Sequence, residues 1–333
     1  MGWAPNDKYL WDTWFAHDRD GVLHAFFLQA DKAACNFIPF NRHDMAEVGH
    51  AVLTADAWKY IDGKPCLAAR AGSWDNISIW TGSVIYDRQS DSFYMFYTSR
   101  DGNSDKKWTP RGEFVPQQIG VATSRDLITW ERIDAVLPNC SAAMGLDGVN
   151  WRDPYVIEYG GKYICLLSAH ANPKDGISEN AGGAIVFFES ESLTDWSQAN
   201  QKILALSPEF YQLEVPQLYR HVEDEGVRFF LLFCAQAADC TADRKSNYPE
   251  DCATGTYYFA SELYPHDSSV FPSFDETPRL LAPDIYAGKI IDIDGTPSLI
   301  GFDYQGGETD FIGGISEATP VTFSEKRLET LKR

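Results

Sequence analysis

The chain has 333 residues, of which 44% are hydrophobic and 23% charged, and this composition is typical of a globular protein, not of a disordered one. It carries 48 acidic and 28 basic residues, which gives a formal net charge of −20 at pH 7. That balance argues against nucleic acid and membrane surfaces as partners, because both bind basic protein surfaces. No apolar run approaches the length of about 18 residues that a membrane-spanning helix requires.

The amino terminus and the cysteines predict a cytoplasmic protein. The first residues lack the basic segment and the apolar segment of a secretory signal. The cysteines are odd in number and contain no Cys-x-x-Cys pair, so we expect neither a disulfide framework nor a zinc site. We also expect no organic cofactor. The seven cysteines are Cys35, Cys66, Cys140, Cys165, Cys234, Cys240 and Cys252.

A short sequence pattern recurs along the chain. Residues 119–130 and 184–196 both consist of an apolar strand, a Ser-x-x-Leu segment and a Trp three residues after the Leu. Looser copies end near Thr54, Ser261 and Ser316. The hydroxyl residues of the five copies are therefore 70, 66, 71 and 55 residues apart. Chance recurrence of Ser-x-Asp patterns in loops is the alternative, and the matched Leu and Trp argue against it.

Short runs rich in aromatic and β-branched residues lie between these copies and predict strands. They are residues 23–28, 93–98, 163–168 and 228–233. No long segment shows the periodicity of a helix. Repeated all-β units of this size indicate propeller blades of four strands each. The sequence therefore predicts an all-β fold in which residues 1–333 form a single five-bladed β-propeller.

Three carboxylates stand among apolar or aromatic neighbours, where a solvated surface charge is not expected. They are Asp12, Asp153 and Glu214, and they precede the hydroxyl residues of their units by 42, 37 and 47 positions. In the second unit, Ser83 of the Trp80–Ser83 segment precedes the hydroxyl residue Ser124 by 41 positions. A common position in the repeat means the same strand of each blade. We therefore expect the three carboxylates to converge at the mouth of the central channel.

Converging carboxylates match the needs of glycoside cleavage. One attacks the anomeric carbon, another protonates the leaving oxygen and then activates water, and a third can bind sugar hydroxyls. Three carboxylates can equally bind a cation such as Ca²⁺, which stays open as the less favoured alternative. We predict no metal site.

Six segments of the chain resemble motifs of the β-fructofuranosidases of glycoside hydrolase families 32 and 68, which are five-bladed propellers. The triplet Arg152-Asp153-Pro154 matches the Arg-Asp-Pro motif of that group. Trp11-Asp12-Thr13-Trp14 is similar to the Trp-Asp-Ser-Trp of levansucrases in family 68. The other similar segments are His24–Gln29, Gly49-His50-Ala51, Trp80-Thr81-Gly82-Ser83 and Glu214-Val215-Pro216.

The resemblance implies a role for each matching residue. Asp12 would be the nucleophile, Glu214 the acid/base and Asp153 the residue that stabilises the transition state. The resemblance also implies residues that bind the fructosyl group, namely Trp11, Gln29, Trp80, Ser83 and Arg152. We expect a catalytic domain that cleaves a terminal β-fructofuranoside, such as sucrose or a short fructo-oligosaccharide, with retention.

Several alternatives remain open. The length leaves no space for the carboxyl-terminal β-sandwich of typical family 32 enzymes, so we expect a compact member. Rival activities are fructosyl transfer of the levansucrase type and an inverting arabinosidase or xylosidase similar to family 43. A sugar-binding propeller without catalysis is the rival of another class. We expect a small saccharide as partner, and the sequence does not indicate the oligomeric state.

The tryptophans divide into two groups. Trp130 and Trp196 recur with the repeat, which favours packing within blades. Trp11, Trp14 and Trp80 stand beside candidate site residues, which favours contact with sugar. The segment 106–108, Lys-Lys-Trp, reads as a surface loop, with a contact to the leaving group as the less favoured alternative.

Overall fold

The computed structural model describes residues 2–55, 57–61, 63–172, 180–197, 199–274, 277–305 and 310–331. One short helix, α1 (Ala242–Asn247), and four 3₁₀ turns lie between strands. No helix in these ranges is long and apolar enough to cross a bilayer. The strands are β1 (Lys8–His17), β2 (Leu23–Asp31), β3 (Glu47–Leu53), β4 (Trp58–Tyr60), β5 (Ile79–Asp87), β6 (Ser92–Arg100), β7 (Lys107–Thr109), β8 (Gly112–Phe114), β9 (Gln117–Ser124), β10 (Glu131–Val136), β11 (Leu146–Tyr159), β12 (Lys162–Ala171), β13 (Gly183–Ser190), β14 (Lys202–Leu206), β15 (Glu214–Glu223), β16 (Gly226–Ala235), β17 (Gly255–Tyr264), β18 (Arg279–Pro283), β19 (Ile285–Ile293), β20 (Thr296–Asp303), β21 (Thr319–Ser324) and β22 (Arg327–Thr330).

These strands form five antiparallel sheets of four strands and one extra hairpin. Blade one is β1-β2-β3-β4, blade two is β5-β6-β9-β10, and blades three, four and five take the remaining strands in groups of four. The hairpin β7–β8 is inserted between the second and third strands of blade two. The fold is a five-bladed β-propeller, as the sequence predicts.

The recurring sequence pattern marks the third strand of blades one to four. Ser124, Ser190 and Ser261 lie in β9, β13 and β17, and Thr54 directly follows β3. The fifth copy is next to Ile315, which forms an isolated bridge with Phe302 of β20. The two close copies share one local geometry, because Trp130 and Trp196 each donate an indole hydrogen bond to a Leu carbonyl three residues back, at 3.1 and 3.0 Å. The repeat is therefore structural, and both tryptophans pack as expected.

The first strands of the blades face one another around the ring. Each of β1, β5, β11, β15 and β19 contacts the next, and β19 contacts β1. The apolar core lies between adjacent blades, where the faces of neighbouring sheets pack together. Trp3 and Ile315 exchange two backbone hydrogen bonds of 2.8 and 2.7 Å, so the amino-terminal segment is joined to blade five and closes the ring.

Every first strand contains an irregularity at the same level of the channel. The pairing with the second strand is interrupted at Asp12, Thr81, Asp153, Val215 and Ala287. Four of these residues have a positive φ: Asp12 at 38°, Asp153 at 59°, Val215 at 51° and Ala287 at 50°. Such a conformation is strained for any residue but glycine, and β-bulges redirect side chains next to active sites. The five bulges turn side chains of the inner strands toward one point.

Candidate active site

A cavity of about 240 Å³ lies over that ring of bulges. All five first strands contribute to its lining, and the hairpin β7–β8 forms part of its wall. Six of the eight predicted site residues line it. They are Trp11, Asp12, Trp80, Arg152, Asp153 and Glu214. The structure therefore brings the three carboxylates together, as their common position in the repeat predicts.

Asp12 is held by the neighbouring blade. The hydroxyl of Thr81, at the bulge of β5, donates a 2.7 Å hydrogen bond to Oδ2 of Asp12. Desolvation by the surrounding protein and the charge of Asp153 together raise the pKa of Asp12 to about 7, although the Thr81 hydrogen bond acts in the opposite direction. This carboxyl group therefore changes charge near neutral pH.

Arg152 joins the other two carboxylates. Its Nη2 lies 2.7 Å from Oε1 of Glu214, and its Nε lies 3.5 Å from Oδ2 of Asp153. The guanidinium is itself oriented by Asn150, whose Oδ1 accepts a 2.7 Å hydrogen bond from Nη1. Burial raises the pKa of Asp153, and the adjacent Arg152 charge opposes that rise. A buried arginine with three acceptors in fixed positions holds the two carboxylates in one arrangement.

Backbone and threonine contacts connect Asp153 to the blades on both sides. The Asp153 N–H donates a 3.0 Å hydrogen bond to Oγ1 of Thr98, whose own hydroxyl donates to the Thr81 carbonyl at 3.0 Å. Oδ2 of Asp153 accepts a 3.1 Å hydrogen bond from the N–H of Val215, the residue after Glu214. The three carboxylates are thus positioned by one continuous set of hydrogen bonds across blades one to four.

Blade five supplies two site residues for which the sequence analysis offered no candidate. The hydroxyl of Tyr286 in β19 donates a hydrogen bond to Oε2 of Glu214. Lys289 is buried, and its Nζ donates a 2.6 Å hydrogen bond to the carbonyl of Val215. Desolvation lowers the pKa of Lys289 to about 8, and the charges of Asp153 and Asp12 act in the opposite direction. The site therefore combines three carboxylates with buried cations, of which Lys289 has a pKa close to neutral pH.

The rim contributed by blade one is aromatic and basic. The indole Nε1 of Trp80 donates a 2.8 Å hydrogen bond to the carbonyl of His43, and the guanidinium of Arg42 stands 5.3 Å from the Trp11 ring. Arg42 and His43 belong to a 3₁₀ turn, Pro39–Asp44, between β2 and β3. Both line the cavity. Flat apolar surfaces beside fixed charges are suited to a sugar ring, which has apolar faces and a hydroxylated edge.

The chemistry of such a site follows from its charges. The negative charges of Asp153 and Glu214 act on Asp12, and the charge of Glu214 acts on Asp153. A site in which one carboxyl group holds a proton and another is ionised provides both an acid and a nucleophile. In the part of the chain that the structure describes, no group of three His, Cys, Asp or Glu side chains has the geometry to hold a metal ion.

A family model for the glycosyl hydrolases family 32 N-terminal domain matches residues 15–302. The chain belongs to glycosyl hydrolase family 32. The matched residues contain Asp153 and Glu214 and begin three positions after Asp12. As a family 32 member the protein is a glycoside hydrolase, which confirms the enzyme class that the sequence analysis predicted.

Solved structures share the fold of this family 32 chain. An inulosucrase from Halalkalicoccus jeotgali bound to kestose is 19% identical, with a TM-score of 0.71, and the alignment covers 99% of this chain and 90% of that one. A sucrose-6-phosphate hydrolase from Lactobacillus gasseri is 19% identical, with a TM-score of 0.68 and coverages of 96% and 60%. The catalytic domain of a β-fructofuranosidase from Microbacterium saccharophilum K-1 is 15% identical, with a TM-score of 0.66 and coverages of 99% and 82%.

One curated relative is named for a different kind of activity from the solved structures above. A 1,2-β-oligomannan phosphorylase from Thermoanaerobacter sp. (strain X514) is 23% identical over 178 residues, which are 51% of this chain. The matched region spans about half of that relative, at 56% of its length.

Two residues predicted to bind the fructosyl group, Gln29 and Ser83, are not among the residues that line this cavity, and their contact with sugar stays a prediction. The amide of Gln29 is fully buried within blade one, where its Nε2 donates to Glu47 at 3.0 Å and its Oε1 accepts from the Tyr60 hydroxyl at 2.6 Å. The hydroxyl of Ser83 accepts a 3.1 Å hydrogen bond from the Val156 N–H of blade three. Both residues hold the structure together beside the site.

Trp14, which the sequence placed among the tryptophans that contact sugar, packs in the core and not against the cavity. It is buried and stacks on Phe26, with ring centroids 6.3 Å apart. The bulge at Asp12 falls between Trp11 and Trp14 and interrupts the alternation of faces along β1. Trp11 lines the cavity, and Trp14 belongs to the interior of blade one.

Proposed function

We propose that this glycoside hydrolase cleaves terminal β-D-fructofuranosides, with sucrose or a short fructo-oligosaccharide as substrate, and retains the anomeric configuration. The observation that carries the proposal is the convergence of Asp12, Asp153 and Glu214 in one cavity, with Arg152 between the last two. A nucleophile, an acid/base and a third carboxylate are the set that retaining cleavage of a fructoside uses.

Asp12 acts as the nucleophile. Its free oxygen attacks the anomeric carbon of the fructosyl group, and the bond from that carbon to the leaving oxygen breaks. The Thr81 hydrogen bond to Oδ2 fixes the carboxylate and leaves Oδ1 for the attack. The product of this step is a fructosyl ester of Asp12, and water releases fructose from it in the second step.

Glu214 acts as the acid/base. It gives its proton to the leaving oxygen in the first step and takes a proton from the attacking water in the second, so that the enzyme returns to its starting state. Between the two steps Glu214 is ionised. The Arg152 ion pair and the Tyr286 hydrogen bond stabilise that charge.

Asp153 and Arg152 hold the fructosyl ring. A carboxylate accepts hydrogen bonds from sugar hydroxyls, and these strengthen as positive charge develops on the ring in the transition state. Trp11 and Trp80 provide the adjoining aromatic surface. The preference for a fructosyl group over an arabinosyl or xylosyl group is part of this proposal.

Fructosyl transfer to a sugar acceptor is the second candidate, and it shares the whole first step. The similarity in fold to the inulosucrase favours it. Transfer and hydrolysis differ only in whether a sugar hydroxyl or water attacks the ester of Asp12.

Product analysis tests both candidates. The purified enzyme is incubated with sucrose, 1-kestose, levan and aryl arabinosides and xylosides, each with and without inorganic phosphate. Free glucose and fructose in equal amounts from sucrose support hydrolysis, and glucose in excess over fructose supports transfer. Turnover confined to arabinosides or xylosides would overturn the proposal, as would products that are sugar phosphates, which are the products of a phosphorylase.

A further inference from the structure

We propose that the hairpin β7–β8 forms the binding site for the leaving group, and that its ligand is an uncharged pyranose ring. The inference rests on the proposed function and extends it to the part of the substrate that departs. The hairpin occupies Lys107–Phe114, between the second and third strands of blade two, and is additional to the four-stranded pattern of the blades.

One face of the hairpin belongs to the cavity and the other does not. Thr109 pairs with Gly112 and Lys107 with Phe114, so these residues share a face, and Trp108 with Glu113 shares the opposite one. Thr109 and Phe114 line the cavity, as does Arg111 in the turn between the strands. Phe114 is 47% exposed within that wall. Trp108 is 63% exposed and is absent from the lining.

Arg111 ties the hairpin to the side of the cavity on which Glu214 stands. Its Nη2 forms a 2.7 Å ion pair with Oδ1 of the buried Asp239, and its guanidinium lies 3.7 Å from the ring centroid of Tyr211. Tyr211 is three residues before Glu214, and the Asp239 carboxylate is close enough to Glu214 for their charges to interact. The residue that protonates the leaving oxygen must face the leaving group. The hairpin therefore borders the space that the leaving group occupies.

The chemistry of this wall indicates the kind of ligand. Arg111 lines the cavity, and its guanidinium can donate hydrogen bonds to neighbouring sugar hydroxyls. The exposed ring of Phe114 provides a surface for the apolar face of a pyranose. The Arg111 charge is paired with the buried Asp239 carboxylate, so Arg111 is not an unpaired cation that would call for an anionic group. The glucosyl part of sucrose fits these properties.

Two substrates that differ only in the leaving group test the inference. The values of kcat/KM are measured on sucrose and on methyl β-D-fructofuranoside for the wild type, Phe114→Ala and Arg111→Ala. We expect each variant to lose about tenfold or more on sucrose and to stay within about twofold on the methyl glycoside. Activity on the methyl glycoside also shows that each variant is folded. Trp108→Ala, on the opposite face of the same hairpin, should match the wild type on both substrates, and Phe114→Trp should recover activity on sucrose.

The possible failures are distinct. Equal losses on both substrates would mean that the hairpin serves the fructosyl group or the fold, and unchanged activity on both would mean that it binds nothing. Either result overturns the inference and leaves the proposed function intact. A wild-type enzyme that cleaves neither fructoside would overturn the proposed function and this inference with it.

Discussion

The hydroxyl of Thr81 donates a 2.7 Å hydrogen bond to Oδ2 of Asp12, and so joins the inner strands of two adjacent blades at their bulges. A hydrogen bond to an ionised group stabilises it by about 1.5–3 kcal/mol. That is enough to offset part of the desolvation that raises the pKa of Asp12 to about 7. The proposed nucleophile is therefore kept partly ionised near neutral pH by its neighbour.

Removal of this hydrogen bond should shift the pH profile. In Thr81→Val the pKa of Asp12 rises by about one unit or more, because a unit corresponds to about 1.36 kcal/mol. The nucleophile works in its ionised form, so kcat/KM falls on the acid side, and its acidic limb moves from about pH 7 toward pH 8. Thr81→Ser keeps the hydroxyl and should keep the wild-type profile. If the acidic limb of the pH profile lay at the same pH in Thr81→Val and in the wild type, Thr81 would not influence the pKa of Asp12, which would contradict this prediction.

The desolvated carboxyl of Asp12 should lower stability at high pH. Its pKa is raised in the folded state, so the folded protein holds a proton that the unfolded chain has lost above about pH 4. The free energy of unfolding therefore falls between pH 4 and pH 7 and then stays constant, and the total loss is up to about 4 kcal/mol. Asp12→Asn should therefore unfold at higher urea concentration than the wild type at pH 8, with a smaller gain at pH 5, although it loses activity. A gain that does not depend on pH would contradict this explanation.

Lys289 places a positive charge beneath the carboxylates and should affect their protonation. Lys289→Met removes that charge, so Asp12 and Asp153 retain protons to higher pH and kcat/KM at pH 6 falls by about tenfold. The pKa of Lys289 is lowered to about 8, so the wild type loses the same charge as the pH rises through 8. The two enzymes should therefore converge near pH 9. Lys64→Met, at an exposed lysine, is the matched control. If the ratio of kcat/KM between Lys289→Met and the wild type were constant from pH 6 to pH 9, the charge of Lys289 would have no effect on the carboxylates. Its role would then be limited to its hydrogen bond to the Val215 carbonyl.

Ser83 should affect stability and not substrate binding. Ser83→Ala leaves the buried N–H of Val156 without its acceptor, which costs about 1–3 kcal/mol in the free energy of unfolding. We expect an unchanged KM for sucrose and a lower midpoint in urea. A higher KM with unchanged stability would restore the role in sugar binding that the sequence motif suggested.

The sequence predicted the blades and the carboxylates for the same physical reason. Each blade repeats one strand order, so residues at one position of the repeat lie on one strand, and Asp12, Asp153 and Glu214 share the first strand. Local sequence patterns suffice for that step. An Asp-Gly pair is likewise typical of a tight hairpin turn, and Asp294 and Gly295 both have positive φ between β19 and β20.

The remaining site residues could not be predicted in this way. Tyr286 and Lys289 reach the site because blade five packs against blade four, where they contact Glu214 and Val215, and no motif marks them. The spacing of the first strands along the chain could have indicated them. Ala287 stands at the bulge position of the fifth unit, and Tyr286 and Lys289 flank that bulge. Gln29 shows the converse. A motif gives a position along a strand, but the direction of the Gln29 amide was decided by Glu47 and Tyr60 on neighbouring strands.

A covalent intermediate on Asp12 is the central claim, and mass spectrometry tests it most directly. Glu214→Gln lacks the acid/base, so with p-nitrophenyl β-D-fructofuranoside, whose leaving group needs no proton, the first step proceeds and the second is slow. The enzyme is quenched in acid, digested and mapped. We predict that the peptide containing Asp12 gains the mass of one hexose less one water, and that Asp12→Asn abolishes this gain. A hexosyl group on another residue, or turnover without any labelled peptide and with inverted product, would contradict the account.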